Sequence, residues 1–101
     1  MISKDMLLKA AGLVGGDRAK DYGDITSLHH RIAGLWNYWL DHQGGMVELR
    51  AYDVAIMMLL LKVARLIHSP GHSDSHIDIA GYAAVAEEIA QKTINKEKED
   101  E

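Results

Sequence analysis

No cysteine occurs in the 101 residues, which excludes a disulfide scaffold and any thiolate zinc site and fits a reducing compartment. The formal net charge of −4 comes with no Lys/Arg block, so the electrostatic footprint of a nucleic-acid binder is missing. Proline is used once, and no Val/Ile/Tyr alternation marks a strand, so nothing in the pattern requires a sheet. The opening "MISKDMLLKAAGLVGG" has an apolar patch too short and interrupted to span a membrane, and no basic region precedes a long apolar run. No internal repeat is visible. These absences leave one cytoplasmic domain over residues 1–96, with a charged stretch at 97–101 expected to fray into solvent.

What is present reads as helix. From Ser3, a candidate N-cap, Met6, Leu7, Ala10, Ala11 and Val14 recur at the spacing of a single apolar stripe, and Gly15-Gly16 ends it. Asp17 to Asp24 has room for a further helical turn before Tyr22-Gly23 breaks the chain. A second helix is expected from Thr26 or Ser27 to about Leu40, with Leu28, Ile32, Leu35, Trp36 and Trp39 near one face and "DHQGG" as its stop. The third, about Leu49 to Ile67, is apolar almost all round, the pattern of a helix buried on most sides. Pro70-Gly71 terminates it. The fourth begins between Ser73 and Ser75 and runs to about Asn95, with Ile77, Ala80, Ala84, Val85 and Ile89 inward. The expected fold is all-α, a compact bundle of about four helices. Two tryptophans in one helix beside a nearly all-apolar one point to self-association as a homodimer or homotetramer.

The stretch "DSHIDIAGY", Asp74 to Tyr82, concentrates the chemistry. Asp74 and Asp78 lie one helical turn apart, so their oxygens can converge on one cation. Carboxylates are hard ligands, and that cation would be Mg²⁺ or Mn²⁺ rather than zinc. The plainer reading makes Asp74 a first-turn charge stabilised by the helix dipole. Asp78 sits between Ile77 and Ile79, where a carboxylate must be paired, hydrogen-bonded or bound to a cation. Helix three offers counter-ions: Lys62 and Arg65 are three apart, and Asp53 projects near its start. They form a structural network with the aspartates, or they grip a phosphate while the aspartates hold a metal or orient a hydroxyl.

The remaining candidates are weaker. His68, His72 and His76 recur every four residues, but Pro70-Gly71 interrupts the helix and removes the geometry a zinc site needs. His29 and His30 point to different faces, so only one can join a site, and both read as polar surface residues. Trp36, Tyr38 and Trp39 read as core and subunit contacts.

Taken together, Arg18, "DYGD" at 21–24, "IAGLW" at 32–36, "DVAIMMLLLKVAR" at 53–65 and "DSHIDIAGY" at 74–82 resemble a small domain family of tailed phages and prophages. That family in turn resembles the MazG-like all-α nucleoside triphosphate pyrophosphohydrolases. The resemblance implies a helical oligomer in the host cytoplasm and a nucleotide or related phosphate ligand. It implies Mg²⁺ held by Asp74 and Asp78, which are then also the catalytic residues, with Asp53, Lys62, Arg65 and Tyr82 binding the ligand. Those enzymes hold metal between acidic pairs on two helices, whereas residues 25–67 here offer only Asp41, Glu48 and Asp53. Hydrolysis therefore stands beside two rivals: a phage regulatory protein that sequesters a ligand, and an anti-defence protein that binds a host protein through Trp36 and Trp39.

Overall fold

The computed structural model describes residues 1–15 and 24–100. Four helices follow in chain order: α1 (Ile2–Gly15), α2 (Ile25–His42), α3 (Ala51–His68) and α4 (Ser73–Glu99). Among the described residues no strand occurs and no helix is long and apolar enough to cross a membrane. The expected turn at Asp17 to Tyr22, with Arg18, lies outside the described residues.

Each helix start has a local cause. α1 begins one residue before Ser3, with Asp5 N–H donating to the Met1 carbonyl at 3.1 Å, so Ser3 falls inside the helix. Its inward face carries Met6, Ala10, Leu13 and Val14, while Leu7 and Ala11 face solvent. α2 is capped by Asp24, whose carboxylate accepts from Ser27 N–H at 3.1 Å and Ser27 Oγ at 3.0 Å. α3 begins two residues later than the periodicity suggested because Asp53, in its first turn, reaches back to accept from Arg50 N–H at 2.8 Å. That bond satisfies a donor left open at a helix entrance. α4 is capped by His72: its Nδ1 accepts from Ser75 N–H at 3.2 Å and lies 2.7 Å from Ser75 Oγ. Asp74 is then a first-turn charge, and the cap is the histidine. α4 runs on to Glu99, one turn past Asn95.

The α2–α3 connection is pinned twice. Gly44 adopts φ +77°, a conformation that L side chains avoid, and Gly45 N–H donates to Leu40 O at 2.9 Å. A Cβ on Gly45 would lie 3.0 Å from that same carbonyl oxygen. Further along, the Asn37 side chain holds Leu49 on both sides, donating to its carbonyl at 2.8 Å and accepting from its N–H at 2.7 Å.

α4 is the hub: it packs against α3 along its length, against α1, and lightly against α2, while α1 and α2 do not pack on each other. Ala51 and Ala55 of α3 meet Val85, Ala86 and Ile89 of α4, small residues that let two helices approach closely. Val54 and Ala55 are fully enclosed, so one face of α3 is as buried as its composition suggested. The opposite face departs from that expectation: within the single chain Met57, Leu60 and Leu61 remain 41%, 56% and 55% exposed.

Candidate functional site

Because α1 and α2 rest on α4 without touching each other, a cleft opens between them. It holds a cavity of about 300 Å³ lined by Ala10, Leu13 and Val14 of α1, Ile25, Leu28, His29 and Ile32 of α2, Met58 of α3, and Ile77, Asp78, Gly81, Tyr82 and Val85 of α4. Among the described residues the wall is apolar except where His29, Asp78 and Tyr82 meet it. A concave apolar site with a few convergent polar groups is the usual form of a small-ligand pocket.

Asp78 is placed by its helix position: one turn after Asp74 on α4, it faces α3 instead of solvent. There its Oδ2 lies 3.2 Å from Lys62 Nζ, with the two side chains 14% and 23% exposed. A half-buried carboxylate needs such a counter-charge, and of the two cations expected to supply it, Lys62 does. Arg65 is exposed on α3 and makes no ion pair among the described residues.

The other candidates divide. Tyr82 joins Asp78 at the cavity. Asp74 is exposed in the first turn of α4, and Asp53 is engaged at the entrance of α3. Among the described residues no group of three His, Cys, Asp or Glu side chains lies close enough to hold a metal ion. Asp74 and Asp78 supply two carboxylates, and the Lys62 ammonium already answers the charge of one. Mg²⁺ wants near-octahedral oxygen donors, and the described residues do not by themselves supply that set.

One residue of the cavity wall was misread. His30 is exposed, but His29 is buried at 2% exposure. Its Nδ1 is 2.9 Å from the Ile25 carbonyl oxygen; a carbonyl only accepts, so Nδ1 carries the proton and Nε2 is an acceptor. That Nε2 is buried and finds no hydrogen-bond partner among the described residues. The signal was available in spacing: position 29 falls one turn after Ile25 and one before Ile32 and Ala33, on the inward stripe of α2. The three spaced histidines do separate as the Pro70-Gly71 break implied, with His72 half-buried as a cap and His68 and His76 exposed.

The site therefore defines a class: an all-helical domain with an ion-paired carboxylate in the wall of a largely apolar cleft. The chain belongs to the family described as a domain of unknown function (DUF6378), which matches residues 5–100. It is 45% identical over 84 residues to the Gene 55 protein of Mycobacterium phage L5, covering 83% of this chain and 51% of that one. To the Gene 55 protein of Mycobacterium phage D29 it is 34% identical over 96 residues, 95% of this chain and 60% of that one. The chain thus spans about half to three fifths of the length of these relatives. No solved structure matches. The phage affiliation read from the motifs agrees with these relatives, whose names state no activity; the likeness to MazG-type enzymes gains no support from them.

Proposed function

We propose that the domain binds a nucleotide or a related phosphate-bearing small molecule in the cleft between α1 and α2, without cleaving it. The supporting observation is the cavity of about 300 Å³ with Asp78 and Tyr82 in its wall and Lys62 beside Asp78. A flat apolar ring fills the space between Leu28, Ile77 and Tyr82. Asp78, held in place by Lys62, accepts a hydrogen bond from a ligand hydroxyl or amine. Lys62, beside Asp78, draws the phosphate by charge. Hydrolysis is the less favoured reading because among the described residues no three carboxylate or imidazole groups gather to hold a metal ion, and Asp53 serves the helix entrance. Mg²⁺ would then enter with the ligand's phosphates.

Calorimetry and thermal shift with nucleosides and nucleotides, each with and without Mg²⁺, test the proposal. A stabilising ligand whose affinity falls at least about tenfold, roughly 1.4 kcal/mol, in Asp78→Asn is the expected result. Product release in the presence of Mg²⁺ would restore the enzymatic reading. Unchanged affinity in both Asp78→Asn and Tyr82→Ala would place the ligand elsewhere and end the proposal.

A further inference from the structure

The single chain is too open for its size. Its accessible surface is 7449 Å², whereas a compact monomer of 11.2 kDa has about 5,700 Å². Its radius of gyration is 15.3 Å against about 13 Å for a compact domain of this length. The core is correspondingly thin. Among the described residues nine hydrophobic side chains are buried, five of them alanine, and sixteen large hydrophobic residues are exposed. The largest side chains fully enclosed are Val54 and Ser75.

The exposed apolar residues are ordered. Met57, Leu60, Leu61, Ala64 and Ile67 are exposed and recur at three- and four-residue spacing on the face of α3 turned away from α4. No charge interrupts the stripe from Met57 to Ala64, and Ala64 leaves room for a second helix to approach. Asp53 lies on the line of the stripe before it, and Arg65 and His68 lie at its far end.

We propose that this face of α3 packs against the same face of a second copy of the chain, antiparallel about a two-fold axis at the Leu60–Leu61 turn. In that arrangement each apolar residue meets an apolar residue, and the Asp53 end of one α3 meets the Arg65–His68 end of the other. The interface is isologous, so one stripe supplies both halves. An outward stripe of this length would otherwise be a contiguous hydrophobic patch that monomeric proteins rarely expose.

Light scattering on the purified chain across micromolar concentrations is the first measurement, expected to give twice the chain mass of 11.2 kDa. Leu61→Glu, at a position exposed in the single chain, should keep the helical circular dichroism and weaken the dimer at least about hundredfold. Because the chain has no cysteine, Leu61→Cys provides an independent readout: mild oxidation should link two copies, since a disulfide forms only when the two Cα atoms lie within about 7 Å. A monomeric parent chain overturns the proposal. So does a dimer that survives Leu61→Glu and fails to cross-link through Leu61→Cys, which would locate the interface on another face. None of these results depends on whether a nucleotide binds.

Discussion

Removing the ammonium that faces Asp78 is the most direct test of how the site is held. At 3.2 Å the attraction between unit charges is about 5 kcal/mol at an effective dielectric constant of 20 and about 1 kcal/mol in bulk water. The side chains are 23% and 14% exposed, so the pair lies between these limits, and part of the attraction is offset by the desolvation of both ions. A net coupling of roughly 1–3 kcal/mol is expected. Lys62→Met retains the stem that packs along α3 and removes the charge; it should destabilise the fold by about 1–3 kcal/mol, a fall in Tm of about 4–8 °C per kcal/mol for a chain of this size. The reasoning concerns the pair, so the informative assay is a double-mutant cycle of Lys62→Met, Asp78→Asn and their combination, measured by urea unfolding. The combined variant should recover much of the single losses because neither residue is left as an uncompensated charge. Strictly additive losses, with a coupling below about 0.3 kcal/mol, would refute the claim that Lys62 holds Asp78.

Three further outcomes follow from local geometry. Asn37→Ala should destabilise the chain by about 1–3 kcal/mol in chemical denaturation, because two half-buried hydrogen bonds to Leu49 are lost together; a change under about 0.5 kcal/mol would show that the connection is held by something else. His29→Leu should leave stability within about 1 kcal/mol, since it removes an unpartnered buried acceptor and the Ile25 carbonyl keeps its partner within the helix. A large loss in that variant, read by thermal unfolding, would mean that the imidazole is satisfied in solution. The hydrogen bond from Ser27 N–H, joined by that from Ser27 Oγ, holds the Asp24 carboxyl below its ordinary value although the side chain is exposed. A depressed carboxyl pKa adds stability above the unfolded-state value that is lost as pH falls through the folded one. NMR titration should therefore show Asp24 ionising below ordinary aspartates and α2 fraying at its first turn only in acid; a titration at the ordinary value would remove this cap.

The helices were legible because their apolar residues are periodic. α2 and α4 lie within a few residues of their expected bounds, and three entrances have a polar cause: Asp24 caps α2, Asp53 sets the start of α3 two residues late, and His72 caps α4 where it was expected. Burial was harder to read. In α3 apolar residues occupy nearly every angle, so composition alone does not say which side meets α4; the alanines at 51 and 55 decide it by allowing close approach. At the site, Asp78 among isoleucines announced a paired carboxylate, and Lys62 is the partner supplied. His29 was hidden because a histidine pair looks polar, and its burial follows only from its phase relative to Ile25 and Ile32. Asn37 left no signal, since its role depends on where a loop returns.

The doubly fastened connection between α2 and α3 gives the molecule a handle. Gly45 is anchored on Leu40 and Leu49 on Asn37, while the tip between them is bare, with Met46 and Val47 99% and 70% exposed. The α2 residues that line the cleft, Ile25, Leu28, His29 and Ile32, lie toward the opposite end of that helix from the tip. A peptide or fluorophore spliced in after Val47 would swing freely there, giving a reporter or tether that leaves both helices in register.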